Sequence, residues 1–301
     1  MGIARACLGL AAGFLNLLLS AGAGVTPNGE LTPTTITRVA AHGCELQLPK
    51  VTGRCSPVSD PGVFPDEVSP ATVAAASSSV AIPRPFGVPG SWSLLFEDNF
   101  DTLNRSVWTP YWFNDCSGST MNKVLTCSSN VSALGGELRL QMSGPGKGAL
   151  VATNPKDGVA GHAGASFGLG FFEARILFPG ACGTTIQNWP AWWTTGQSWP
   201  SHGENDIAEP LAGTMHSNYH SPAKNTAAGI PGCWAGQFHT YGLHRKASRN
   251  DVYFDGRLVH SYATADGAAP HFLVINVGYW SGSQAFGPAG AVRVDYVRVW
   301  K

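Results

Sequence analysis

The sequence predicts an all-β fold for residues 91–301, an antiparallel sandwich of two packed sheets. Short segments rich in β-branched and aromatic residues recur along this stretch, and Gly, Asn, Asp and Pro separate them. No long segment has the apolar periodicity of an amphipathic helix. Many short strands over this length are typical of one large antiparallel domain, which can bury a core and still curve one sheet into a cleft.

Five segments carry the strand signal. In chain order they are Glu137–Met142, Phe171–Phe178, Asp251–Phe254, Phe272–Val277 and Val292–Trp300. The dipeptide Asp255-Gly256 separates the third segment from Arg257–His260, and it predicts a two-residue hairpin turn.

Residues 1–24 have the pattern of a secretory signal peptide. Arg5 precedes an apolar stretch that runs to Leu19, and the small residues Ala21, Gly22 and Ala23 follow as a cleavage site. A retained membrane anchor is the alternative, because the apolar stretch approaches the ~20 residues that a membrane span needs. The signal reading predicts a secreted protein with no membrane contact after cleavage.

Residues 25–90 are poor in periodicity and rich in Ser, Thr, Ala and Pro. The run Ser69–Ser79 resembles a flexible linker. We therefore expect an N-terminal segment and linker over 25–90, without chemistry of its own, and a folded domain over 91–301.

Six cysteines remain once Cys7 leaves with the signal: Cys44, Cys55, Cys116, Cys127, Cys182 and Cys233. An even number in an exported chain indicates disulfides, although six cysteines allow 15 pairings. We expect each cysteine to pair with its neighbour along the chain, which gives Cys44–Cys55, Cys116–Cys127 and Cys182–Cys233. A zinc site is disfavoured, because no CxxC motif and no Cys/His pair has ligand spacing.

The charge balance argues against polyanionic partners. Nineteen basic residues offset nineteen acidic ones, so we expect no general attraction to nucleic acid or to an anionic membrane. The composition, with 37 Gly and 10 Trp, fits a β-rich protein that binds a neutral substrate such as a sugar.

Three carboxylates lie within six residues, Glu204, Asp206 and Glu209, in a chain that is only 13% charged. In a plain strand Glu204 and Asp206 share a face while Glu209 points the other way. One extra residue near Ile207-Ala208, a β-bulge, would return Glu209 to the face of the other two. Carboxylates on one wall suit work on a glycosidic bond. A calcium loop or a solvated acidic turn are the alternatives.

Several motifs together resemble glycoside hydrolase family 16, the β-jelly-roll enzymes that include laminarinases, agarases and carrageenases. Trp199–Glu209 matches the family's WPxxGExDxxE strand, Gly170–Arg175 resembles its GxFEAR strand, and Trp189–Trp193 its WPAxW strand. Further matches follow in the family's order: Phe238–Leu243, Tyr253–Gly256 and Asp295–Trp300. The resemblance covers about Ser91 to Lys301.

The resemblance implies a jelly-roll sandwich with a concave substrate cleft and a retaining hydrolase. Glu204 would be the nucleophile, Glu209 the general acid/base, and Asp206 the carboxylate that positions the nucleophile. Since three acids in one cleft repel as anions, at least one should hold a proton to high pH, and we assign that proton to Glu209. The extra residue before Glu209 places the chain with the laminarinase-like and galactan-cleaving branch. Asn205 departs from the family's usual aliphatic residue, and a buried amide there needs a hydrogen-bond partner.

The resemblance also suggests substrate-binding residues. They are Trp193, Trp199, His220, Asn218, Arg175 and Trp280. For any single Trp a place in the core is the alternative, Arg175 could instead pair with Glu173, and His216 is second to His220.

The expected partner is a polysaccharide, β-1,3-glucan or mixed β-1,3/1,4-glucan, cleaved internally by double displacement. Agarase-like galactan cleavage, transglycosylation and a non-catalytic glucan-binding module are the alternatives.

Gly164–Gly168 satisfies the serine-hydrolase elbow pattern, but a strand-like segment follows instead of the required helix. We expect a monomer that needs no cofactor, and a structural calcium, with Asp295 as a candidate ligand, stays open.

Overall fold

The computed structural model describes residues 82–118, 120–121, 124–279 and 290–301. The predictions for the signal peptide, the segment up to residue 81, the Cys44–Cys55 bond and Trp280 lie outside these residues. In the described part of the chain, no helix is long and apolar enough to cross a membrane.

Sixteen strands run through the described residues, with one short 3-10 turn at Ser128–Asn130. The strands are β1 Leu94–Asp98, β2 Thr120–Met121, β3 Val124–Thr126, β4 Val131–Ala133, β5 Leu138–Leu140, β6 Lys147–Ala152, β7 Gly170–Leu177, β8 Trp189–Gly196, β9 Glu204–Leu211, β10 Thr214–His220, β11 Thr226–Gly229, β12 Phe238–Arg245, β13 Arg249–Phe254, β14 Arg257–Ala263, β15 His271–Gly278 and β16 Val292–Trp300. All five predicted strands are present, which confirms the all-β prediction.

The strands form two sheets of eight. One, here named the cleft sheet, has the order β11-β10-β9-β8-β15-β6-β3-β2. The other, the back sheet, has the order β14-β13-β12-β7-β16-β5-β4, and β1 pairs with β16. The pairs between named strands are antiparallel except β3 with β6. The segment that carries the three carboxylates therefore lies on β9, an interior strand of the cleft sheet between β10 and β8.

The main apolar core packs between the sheets. Phe172 and Ile176 come from β7 of the back sheet, and Trp192, Ile207 and Ile275 come from the cleft sheet; all five are fully buried. Burying a side chain of this size contributes about 1.5–3 kcal/mol. Because side chains alternate along a strand, the neighbours of Trp192 on β8 and of Ile275 on β15, and the residue before Ile207 on β9, face the opposite side, where the site lies.

The predicted hairpin joins β13 to β14. Asp255 and Gly256 both have positive φ, 46° and 73°, as a two-residue hairpin turn with matching twist requires. A side chain at Gly256 would also come within 2.8 Å of the Cα of Gly87, so the turn needs glycine for space as well as conformation.

Two of the expected disulfides are formed, Cys116–Cys127 and Cys182–Cys233. Residues 82–90 also contact the domain. Trp300 donates its indole N–H to the Pro83 carbonyl at 2.8 Å, and the Phe86 N–H donates to the Glu173 carboxylate at 2.8 Å. The end of the predicted linker is thus held against the back sheet.

Candidate active site

A β-bulge on β9 shapes the site. Neighbouring residues Trp192 and Trp193 of β8 pair with Ala208 and Asp206 of β9, so Ile207 is one residue in excess. The register between β9 and β10 shifts at the same place. The predicted bulge near Ile207-Ala208 is confirmed.

The bulge brings the three carboxylates to one cavity. Glu204, Asp206 and Glu209 all line a cavity of about 680 Å³ on the cleft sheet. Its other walls are largely aromatic and amide side chains, namely Trp112, Phe113, Trp189, Trp193, Trp199, Phe272, Asn154, Gln197 and Asn276. A long apolar surface with a few converging polar groups is the usual form of a ligand site.

Glu209 is held from both sides. Trp189 donates its indole N–H to Oε1 at 2.8 Å, and Asn218 donates an amide N–H to Oε2 at 2.6 Å. Asn218 lies on β10, pairs with Asp206 of β9 and is itself buried. The two donors fix the orientation of the Glu209 carboxyl group toward the cavity.

Asp206 contacts a histidine. Its Oδ2 lies 3.2 Å from Nε2 of His220, which is partly exposed at the end of β10. One oxygen or nitrogen atom from each of Glu204, Asp206 and His220 lies within 4.8 Å of the others, so these three side chains could also hold a metal ion.

Burial and mutual repulsion raise the pKa values of two of the acids. The pKa of Glu204 rises to about 8, first because burial penalises the charged form and then because Asp206 and Glu209 repel it, while His220 opposes the rise. Burial, then the charge of Glu209, raises the pKa of Asp206 well above its usual range. The sequence assigned the retained proton to Glu209, whereas the structure favours protonation of Glu204 and Asp206.

Comparison with known proteins identifies the family. A family model described as glycosyl hydrolases family 16 matches residues 123–298, more than half of the chain. The chain belongs to this family. It is therefore a glycoside hydrolase with the jelly-roll fold.

Solved structures of the same architecture support this assignment. The non-specific endo-β-1,3(4)-glucanase SCLam has 24% identity and a TM-score of 0.57, over 72% of this chain and 94% of its own. The laminarinase from Thermotoga petrophila has 22% identity and a TM-score of 0.55, over 70% and 98%. The laminarinase from Rhodothermus marinus has 23% identity and a TM-score of 0.56, over 70% and 98%. At these identities the similarity shows the fold. No curated protein matches the sequence.

Three predicted binding residues of this family 16 enzyme line the cavity, namely Trp193, Trp199 and His220. Trp193 lines the cavity, packs near Trp112 with ring centroids 5.9 Å apart, and donates its indole N–H to Asn276 at 2.7 Å. Trp199 also lines the cavity and is 62% exposed, so its face is open to a ligand. Trp192, the neighbour of Trp193 on β8, points to the opposite side and lies in the core.

The expectation that Arg175 faces the cleft is wrong. Arg175 lies on β7, which belongs to the back sheet, so the whole sandwich separates it from the carboxylates. Its guanidinium donates to Asp295 at 2.6 Å and stacks over the Phe238 ring at 4.7 Å. The alternative pairing with Glu173 is also absent, because Glu173 accepts hydrogen bonds from Tyr296 and the Phe86 N–H instead.

Sequence reasoning missed part of the lining. Trp112 and Phe113 come from the loop segment that precedes Cys116, and Lys156 comes from the loop after β6. Asn276 had a local signal. It lies four residues after Phe272 on a predicted strand, and residues an even number apart share a face of the sheet. The loop residues carry no such local signal.

Proposed function

We propose that this chain is a secreted, retaining endo-β-glucanase that hydrolyses β-1,3-glucan or mixed β-1,3/1,4-glucan by double displacement. The observation that carries the proposal is the set of three carboxylates brought by the β9 bulge to one wall of an open, aromatic cavity. The similarity to solved structures named as endo-1,3-β-glucanases and as an endo-β-1,3(4)-glucanase supports the same substrate class.

Because the pKa of Glu204 is about 8, the reactive form, with Glu204 ionised and a proton on Glu209, is a minority form of the free enzyme at neutral pH. In the first step of this reactive form, Glu204 attacks the anomeric carbon while Glu209 donates its proton to the departing glycosidic oxygen. The bond to the leaving sugar breaks as the ester bond to Glu204 forms. In the second step, Glu209 takes a proton from water, which attacks the anomeric carbon and releases Glu204. Two inversions leave the product with the β configuration. Both steps use side chains of this chain alone.

Asp206 supports this cycle through charge. It lies beside Glu204 in a buried site, so its protonation state alters how readily Glu204 ionises. His220 contacts Asp206 at 3.2 Å and opposes the rise in the pKa of Glu204. We assign the pair Asp206 and His220 the task of tuning the nucleophile.

The cavity favours a neutral polysaccharide. Among the described lining residues Lys156 is the single Lys or Arg, and three acids line the same cavity. Sulfated galactans need several cationic groups to offset their charge, which such a cavity lacks. The exposed face of Trp199 and the packed Trp193 offer flat apolar surfaces that suit pyranose rings. The family alternatives, agarase-like cleavage of a neutral galactan and transglycosylation, use the same carboxylates.

Secretion is supported by two observations. Residues 1–24 have the signal pattern, and the two disulfides of the domain are typical of an oxidising compartment.

A substrate panel tests the proposal. The chain is incubated with laminarin, mixed-linkage β-glucan, agarose and carrageenan, and product sizes are followed over time. We expect short oligosaccharides from one or both glucans at early times, as endo-cleavage requires. Activity on a galactan with none on either glucan would overturn the substrate assignment. Glu204→Gln is the inactive control, and Arg175→Ala, on the back sheet, is the control away from the cleft that should retain activity.

A further inference from the structure

Asn205, which lies between Glu204 and Asp206 on β9, has an unusual environment. Asn205 is fully buried and points from β9 away from the cleft, toward the back sheet. The sequence predicted that a buried amide at this position needs a hydrogen-bond partner, and the structure confirms this with four.

Both ends of the Asn205 amide are satisfied. Its Oδ1 accepts hydrogen bonds from the Asn250 amide at 2.7 Å and from the Tyr262 hydroxyl at 3.0 Å, both on the back sheet. Its Nδ2 lies 3.3 Å from Thr194 Oγ1 and 3.2 Å from His271 Nδ1, both on the cleft sheet. One side chain therefore ties β9 to four strands in two sheets.

His271 extends this network to the backbone that enters β9. Its Nε2 lies 2.6 Å from the carbonyl of His202, two residues before Glu204. A carbonyl can only accept, so Nε2 carries the proton and Nδ1 accepts from Asn205 and Thr194. Burial, together with nearby Arg245, lowers the pKa of His271 to about 3, so the ring stays neutral and keeps this arrangement.

The network holds β9 beside the bulge that shapes the site. The bulge at Ile207 interrupts the ladder on both sides of β9 just beyond Asp206. A shift of the strand by one residue would turn Glu204 and Asp206 toward the core and Asn205 toward the cleft. The apolar contacts of an aliphatic side chain at this position would have no directional preference. The four hydrogen bonds of Asn205 are directional, so they specify one register of β9.

We propose that Asn205 is a positioning residue, which fixes the register of β9 beside the bulge and thereby holds Glu204 and Asp206 at the cleft wall. Asn205 touches neither the cavity nor the substrate and acts through the strand. Its catalytic meaning rests on the proposed function, but its effect on the register of β9 does not.

Two variants separate positioning from stability. Asn205→Leu removes the amide and leaves Asn250 and Tyr262 without their buried acceptor. The triple variant Asn205→Leu, Asn250→Leu, Tyr262→Phe removes those orphaned groups as well, while Thr194 and His271 can keep their own contact at 3.0 Å. Replacing both back-sheet partners by apolar groups, together with Asn205, should restore much of the stability that the single replacement loses. Val252→Ala, a fully buried residue of β13, serves as a control of lowered stability with the network intact.

Kinetics and amide exchange provide the readouts. We expect Asn205→Leu to lower kcat on glucan about 10- to 100-fold with KM nearly unchanged, since small misplacement of reacting groups costs that much. The triple variant should regain melting temperature but not kcat. Amide hydrogen exchange over residues 204–209 should be faster in both variants and unchanged in Val252→Ala.

Two results would overturn the inference: recovery of kcat together with melting temperature in the triple variant, or unchanged exchange and kcat in Asn205→Leu. If the wild-type chain cleaves no glucan, the proposed function fails, and the exchange comparison still decides whether Asn205 fixes the strand. If Asn205→Leu alone does not fold, Tyr262→Phe and the triple variant carry the same comparison.

Discussion

Replacing the nucleophile with its neutral isostere should stabilise the protein, and more so at high pH. Folding raises the pKa of Glu204 from its ordinary 4.5 to about 8. The folded protein therefore holds a proton that the unfolded chain gives up between those values, and stability falls as pH rises through this window. Glu204→Gln is neutral at every pH and escapes this loss.

The magnitude follows from the two pKa values. The difference between 4.5 and about 8 corresponds to about 5 kcal/mol above pH 8, at about 1.36 kcal/mol per pH unit. This is an upper bound, because the pKa of Asp206 is itself raised, and Asp206 no longer repels Glu204 when it holds a proton. A gain of about 2 kcal/mol would raise the melting temperature of a domain this size by about 4–8 °C.

Thermal unfolding of both proteins at pH 5 and pH 8 measures the effect. The melting temperature of Glu204→Gln should exceed that of the wild type at pH 8, and the gap should shrink toward pH 5. Glu137→Gln is the control of opposite sign, because hydrogen bonding to Arg293 lowers the pKa of Glu137 and its carboxylate stabilises the fold. An equal or lower melting temperature for Glu204→Gln at pH 8, or a gap that does not widen with pH, would refute the reasoning.

Three further outcomes are expected. Trp199→Ala should raise KM for glucan about 5- to 10-fold with little change in kcat, because a stacked aromatic face contributes equally to binding in the ground and transition states. Steady-state kinetics that show a loss confined to kcat would contradict this. Glu209→Ala should still form the glycosyl-enzyme from an activated aryl β-glucoside, whose leaving group needs little protonation, whereas Glu204→Ala should not. Equal loss, in both variants, of the initial burst of released aryl group would reject the roles assigned to Glu204 and Glu209. Replacing Cys182 and Cys233 with Ser should cost about 4 kcal/mol on the chain-entropy model for 51 residues of separation, measured by urea unfolding; an unchanged midpoint would show that the bond adds no stability.

The features that the sequence predicted well are those with a local cause. The Asp255-Gly256 turn needs positive φ at both residues, and the bulge at Ile207 is required if three carboxylates spaced two and three apart are to share a wall. Arg175 was placed wrongly because strand alternation identifies two faces but does not say which sheet borders the cleft. Trp112 and Lys156 were missed because loops bring them to the site from distant parts of the chain. The partners of Asn205 come from four strands, so no local pattern could name them.

Identification of the residue that becomes covalently attached to the sugar tests the central claim most directly. The chain is incubated with a 2-deoxy-2-fluoro β-glucosyl oligosaccharide bearing an activated leaving group, which slows release of the intermediate, and the modified peptide is sequenced by mass spectrometry. A double-displacement mechanism with Glu204 as nucleophile predicts one sugar per chain, attached at Glu204. Attachment at Glu209 or Asp206, or hydrolysis of glucan with inversion and no adduct, would contradict the account.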